Sequence, residues 1–158
     1  DLYVDQIITL VDNLLKENKR FPDEKLLTKT MINNYSKARV IKPIKGKKYS
    51  KLQIIQILIT YYMKNTLTID EIKRVLNDHE FTAEEISEYY QNYLDKKNII
   101  KASLPDYLMT NDLINDNSDP METLLIMTAI SDQAKKISEA ILDNCYPENT
   151  KKKEKNHE

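Results

Sequence analysis

Glycine is nearly absent: Gly46 is the only one in 158 residues. Phosphate cradles of the P-loop or dinucleotide type need several glycines at fixed spacing, so both are excluded. Cysteine is almost as rare. With Cys145 alone, no intrachain disulfide can form, and a reducing cytoplasm is the expected setting. Cys145, His79 and His157 are the whole supply of cysteine and histidine. A structural zinc site draws on four such ligands, so no metal or other cofactor is expected. Long apolar runs are missing too. The longest uncharged stretch, Leu52 to Met63, has 12 residues against the roughly 20 of a membrane-spanning helix, so no membrane association is expected. The sequence opens on neither a methionine nor a basic-then-apolar leader, which reads as a trimmed chain.

What is present is a chain rich in Leu, Ile, Lys and Glu, a composition that favours helix. Its length allows one domain or two small ones with a buried core. The net charge of −1 hides a strong asymmetry. Residues 25–51 carry nine Lys or Arg and no acid, whereas 70–149 carry seven bases against seventeen acids. A local excess of nine positive charges makes a field that attracts phosphates.

The apolar spacing predicts a first helix over 2–19, broken at Phe21-Pro22-Asp23. A short helix over 28–38 follows, capped by Thr28. Met31, Ile32, Tyr35 and Ala38 share its inner side, and Thr30, Asn33, Asn34 and Lys37 its outer one. The stretch 40–49, with β-branched residues before Gly46 and lysines with a tyrosine after it, reads as a two-stranded hairpin. Three capping boxes then announce helices: Ser50 with Gln53, Thr68 with Glu71, and Thr82 with Glu85. The first of these, apolar on nearly every side, is the expected central core helix. Residues around Pro105 and from Asn111 to Asp119 read as a connection with little helix, and Pro120 opens a last helix reaching about Asn144. Its apolar stripe is Ile126, Ile130, Ala134, Ile137 and Ile141. The expected units are 1–78, 79–146 and a disordered tail over 147–158.

Helix, short polar-faced helix, basic hairpin and two further helices make a winged helix-turn-helix plan, and the expected fold class is all-α with a small β-hairpin wing. In such a plan helix 28–38 reads the major groove and wing 40–49 reaches flanking phosphates. Asn33 and Asn34 suit adenine edges or phosphate, Lys29 and Lys37 suit the backbone, and Lys45, Lys47 and Lys48 sit at a turn from which they reach phosphates. The expected DNA-binding set is Lys29, Thr30, Asn33, Asn34, Tyr35, Lys37, Arg39, Lys45, Lys47, Lys48 and Tyr49. Tyr35 and Tyr49 serve equally well as packing residues.

Residues 26–78, around TKTMINNYSKARVIKPIKGKKYSKL and LTIDEI, resemble the DNA-binding domain of the MerR-type regulators. Thr28 stands at that family's helix cap and Tyr35 at its second tyrosine. Val40, Ile41 and Pro43 fit its hydrophobic-x-Pro element, and Lys47-Lys48-Tyr49-Ser50 its Arg-x-Tyr-Ser. Asn33, Asn34 and Arg39 depart from the family's arginine, first tyrosine and glycine, and the wing is shortened. The string LTKTMINNYSKA also resembles a little-characterised bacterial family of MerR-like fold regarded as transcription regulators. The resemblance implies a homodimer formed through a C-terminal helix, a role for 120–144.

No catalytic set accompanies these features. His79 beside Glu80 has no nucleophile pattern near it, and Asp70/Glu71 and Glu84/Glu85 lie in first turns of helices, where carboxylates are stabilised by the dipole. The chain is therefore not expected to be an enzyme. Tyr61, Tyr62, Tyr89, Tyr90 and Tyr93 fit either an effector pocket of unknown ligand or ordinary helix packing. The expected function is a cytoplasmic, sequence-specific transcription regulator on double-stranded DNA. The competing reading is a helical adaptor whose basic region docks on an acidic protein.

Overall fold

The computed structural model describes residues 1–44 and 46–148. Lys45, an expected phosphate contact, and the tail from 149 lie outside the described residues. The order is β1 (Leu2–Tyr3), α1 (Val4–Leu14), a 3-10 turn (Lys16–Asn18), α2 (Lys29–Lys37), β2 (Lys48–Tyr49), α3 (Lys51–Met63), α4 (Ile69–Leu76), α5 (Ala83–Thr110) and α6 (Pro120–Cys145). The protein is mostly helical with one small antiparallel sheet. Among the described residues no helix is long and apolar enough to cross a membrane.

Local chemistry sets the helix starts. The hydroxyls of Ser50, Thr68 and Thr82 accept from the N–H groups of Gln53, Glu71 and Glu85, and each of those side chains returns the bond to the cap's own N–H. Asp119 caps α6, with Pro120 at its first position. Helix α3 is buried around most of its circumference, and Ile7, Val11, Leu15, Ile32, Tyr35 and Tyr49 close on Ile57, Leu58 and Tyr61. Each such side chain contributes about 1.5–3 kcal/mol by leaving water. A second cluster joins Val40 to Leu67, Ile72 and Leu76, and to Leu142 of α6.

Three expectations are corrected. The first helix does not cover 2–19: Leu2 and Tyr3 form a strand instead, and the helix stops at Leu14. The local hairpin over 40–49 does not form. Tyr49 and Lys48 pair with Leu2 and Tyr3, at opposite ends of the winged segment. Residues 40–44 do not offer them an edge, because the Val40 N–H is taken by the Tyr35 carbonyl and Pro43 has no N–H. The Lys42 N–H already donates to Gln56 Oε1 at 3.0 Å, and Gln53 Nε2 donates to the carbonyls of Lys42 (3.1 Å) and Pro43 (2.9 Å). Finally, the region around Pro105 is helical: α5 runs through it for 28 residues. The carbonyl that a proline leaves without its helical donor belongs here to the exposed Lys101, where water can supply one.

Scarce glycine shows in the helix ends. α2 and α5 both finish in Schellman turns, with Val40 N–H on Tyr35 O (3.0 Å) and Leu113 N–H on Leu108 O (2.9 Å). The left-handed residue that glycine usually supplies is Arg39 (φ 59°) in one and Asp112 (φ 54°) in the other.

Candidate nucleic-acid interface

Helix α2 begins where Thr28 Oγ1 accepts from the Met31 N–H at 3.2 Å. Ile32 and Tyr35 turn inward against α1 and α3, leaving Lys29, Thr30, Asn33, Asn34 and Lys37 exposed along one face. That face carries two ammonium groups and two primary amides. Beyond the helix, Arg39, Lys47 and Lys48 are exposed as well. Lys48 Nζ lies 5.0 Å from the centre of the Tyr3 ring. Among the described residues, no base from Lys25 to Lys51 joins an ion pair; the salt bridges fall at Lys19, Arg74, Lys101, Lys135 and Lys136. The charge of this segment is thus not neutralised by acids among the described residues.

Tyr35 and Tyr49 do not belong to that surface. Both are buried, at 4% exposure. The Tyr35 hydroxyl is sealed from solvent and has no partner among the described residues. Burial, with a smaller effect from Tyr61, pushes it up to about 12. An unpaired buried hydroxyl costs free energy, so Tyr35→Phe should raise stability by about 1 kcal/mol in a denaturant melt. The sign with pH follows. The tyrosine hydroxyl is harder to ionise folded than unfolded, so the fold weakens as pH rises from about 10 through 12. The phenylalanine variant should lose part of that alkaline sensitivity.

The sequence reading missed how the basic loop is held. Gln53 and Gln56 pin its first residues, and the signal was two amides in an otherwise apolar helix. Asn77, at the end of α4, donates through Nδ2 to the Arg39 carbonyl at 2.9 Å. A groove between the end of α2 and α4 is lined by Arg39, Lys42, Lys73 and Asn77 among others, which adds Lys42 and Lys73 to the basic surface. No group of three or more metal-ligating side chains is gathered among the described residues.

Residues 1–102 match the family described as a domain of unknown function (DUF1836). The chain belongs to that family. No curated protein and no solved structure matches it. The DUF1836 match covers α1 to α4, the basic segment and most of α5, and stops short of α6.

Arg39 offers a test in which stability and binding move in opposite directions. Glycine removes the left-handed strain, so Arg39→Gly should gain about 1 kcal/mol. It also removes one exposed cation, so the salt slope of binding to a polyanion should fall by about 1 per chain bound. Paired thermal melts and salt titrations of the variant read both. A loss of stability would show that the guanidinium contributes to the fold.

Proposed function

We propose that this DUF1836 protein is a sequence-specific DNA-binding transcription regulator of the MerR-like winged helix-turn-helix type. Helix α2 lies in the major groove, with Asn33 and Asn34 toward base edges and Lys29, Thr30 and Lys37 toward the backbone. Arg39, Lys47 and Lys48 contact flanking phosphates. The observation that carries this reading is the outer face of α2, amide-bearing and cationic, beside a segment whose bases are all without acidic partners among the described residues.

The working unit is a homodimer. Only Leu142 of α6 is buried, and Met121, Leu124, Leu125, Ile137 and Ile141 stand more than half exposed on a helix of 26 residues. Ile130, Ala134, Ile137 and Ile141 recur at alternating spacings of four and three, the seam of a helix that packs on another helix. The acidic second half of the chain stays off the DNA.

Selection of bound duplexes from a random-sequence DNA pool at near-physiological salt tests the reading. The expected result is an enriched motif with two related half-sites. A pool that binds but stays random removes sequence specificity. No retention transfers the basic surface to the adaptor reading, in which it docks on an acidic protein.

A further inference from the structure

The strand that pairs with Lys48 and Tyr49 comes from the start of the chain, so the basic segment has β1 at its side. Leu2 stands opposite Tyr49, and Tyr3 opposite Lys48. Opposed residues of an antiparallel pair point to the same side, and successive residues alternate. Tyr49 is buried and Leu2 packs against the same core, which leaves Tyr3 and Lys48 together on the outer side. Tyr3 is 47% exposed, and Lys48 is exposed as well. The 5.0 Å between Lys48 Nζ and the centre of the Tyr3 ring is within the range over which a ring face attracts a cation.

The ring stands on a backbone that is tied down. Tyr3 is both a strand residue and the N-cap of α1, and its N–H donates to Gln6 Oε1 at 2.9 Å. Leu2 and Val4, on either side of it, pack against the main core. Lysine is the opposite case, a compact charge on a flexible stem whose ordering on a ligand costs free energy. Asp1 and Asp5 are the acids nearest to Tyr3 in the chain, and neither forms an ion pair with Lys48. A ring face orients the ammonium without neutralising it, as a carboxylate would.

We infer that Tyr3 is a positioning residue of the nucleic-acid interface: its ring holds the Lys48 ammonium from one side, and the N–H groups on the other side meet a phosphate of the duplex backbone. The inference rests on the regulator reading and adds the N-terminal strand to the surface that reading uses. β1 takes the place of the strand that residues 40–44 do not form. A lysine already held in place loses less side-chain freedom on binding than a free one. Tyr3 thus acts through Lys48 and brings no charge of its own.

A double-variant cycle on the affinity of the full chain for one fixed duplex tests this. Tyr3→Leu keeps an apolar side chain on the strand and should weaken binding about threefold for each chain bound, with the salt slope unchanged because no charge is lost. Lys48→Ala should weaken it about fivefold and lower the slope by about 1 for each chain. The double variant should bind like Lys48→Ala alone, because the ring then has nothing to position. Tyr3→Phe keeps the ring face and should restore the affinity that Tyr3→Leu loses. Without DNA, the ring current should move the Lys48 ε-methylene proton resonances upfield in the parent and not in Tyr3→Leu. Lys48 resonances at the ordinary lysine position overturn the ring contact. A Tyr3→Leu loss that persists beside Lys48→Ala, or a Tyr3→Leu protein that binds as tightly as the parent, overturns the positioning role and leaves the regulator reading standing. A parent chain with the upfield shift that retains no duplex overturns both.

Discussion

Replacing Lys29, Lys37, Lys47 and Lys48 together by alanine should weaken binding to every duplex by roughly a thousandfold at 0.1 M salt for each protomer bound. Each lysine that neutralises a phosphate releases close to one counterion, so removing four from each protomer lowers the slope of log affinity against log salt by about 3–4 per protomer bound, or about 7 for the homodimer. The four side chains are exposed and carry no ion pair among the described residues, so the fold should lose no more than about 1 kcal/mol, chiefly the contact of Lys48 with the Tyr3 ring. A drop in affinity with the fold intact then has one source, the positive charge itself. An unchanged salt slope would remove these lysines from the interface. Asn33 and Asn34 differ from the lysines in kind. An amide that bonds an adenine edge discriminates between bases by about 1–3 kcal/mol, so its loss changes preference among sequences while the salt slope holds. Uniform weakening on all sequences would make both residues backbone contacts.

The parts of this fold that were legible in the sequence depend on neighbours in the chain. A capping box needs two residues three apart, so Ser50–Gln53, Thr68–Glu71 and Thr82–Glu85 fix three helix starts without tertiary information. The inward side of α2 was readable for the same reason, since Ile32 and Tyr35 follow from helical spacing alone. Long-range pairing was not. Tyr49 has β-branched residues upstream that suggest a hairpin, yet its partner is Leu2, 47 positions away. Nothing local says that Val40 and Ile41 are taken by the core or that two glutamines occupy the backbone of residues 42–43. Pro105 misled in the other direction, because an exposed helix tolerates a proline that a buried one does not. At the candidate interface the exposed polar set was legible. The two tyrosines were not, since a tyrosine on a helix or strand suits core and surface alike.

Gln53 joins the fold to the interface, and its removal should be the costliest single polar change in this region. The side chain is 7% exposed and makes three bonds. Its Oε1 accepts from the Ser50 N–H at 2.7 Å, completing the α3 cap, while Nε2 donates to the carbonyls of Lys42 and Pro43. At about 1 kcal/mol for each bond, Gln53→Ala should lower unfolding stability by about 3 kcal/mol. Gln53→Met preserves the volume and removes only the bonds, so it should keep most of that deficit and separate hydrogen bonding from packing. The same bonds hold the start of the loop that carries Lys47 and Lys48. Amide exchange in residues 41–48 should therefore accelerate in both variants, and DNA affinity should fall even where the protein remains folded, because lysines on a loosened loop incur an ordering cost on binding. A methionine variant with parental stability and unchanged exchange would mean that the buried packing of Val40 and Ile41 positions the loop by itself.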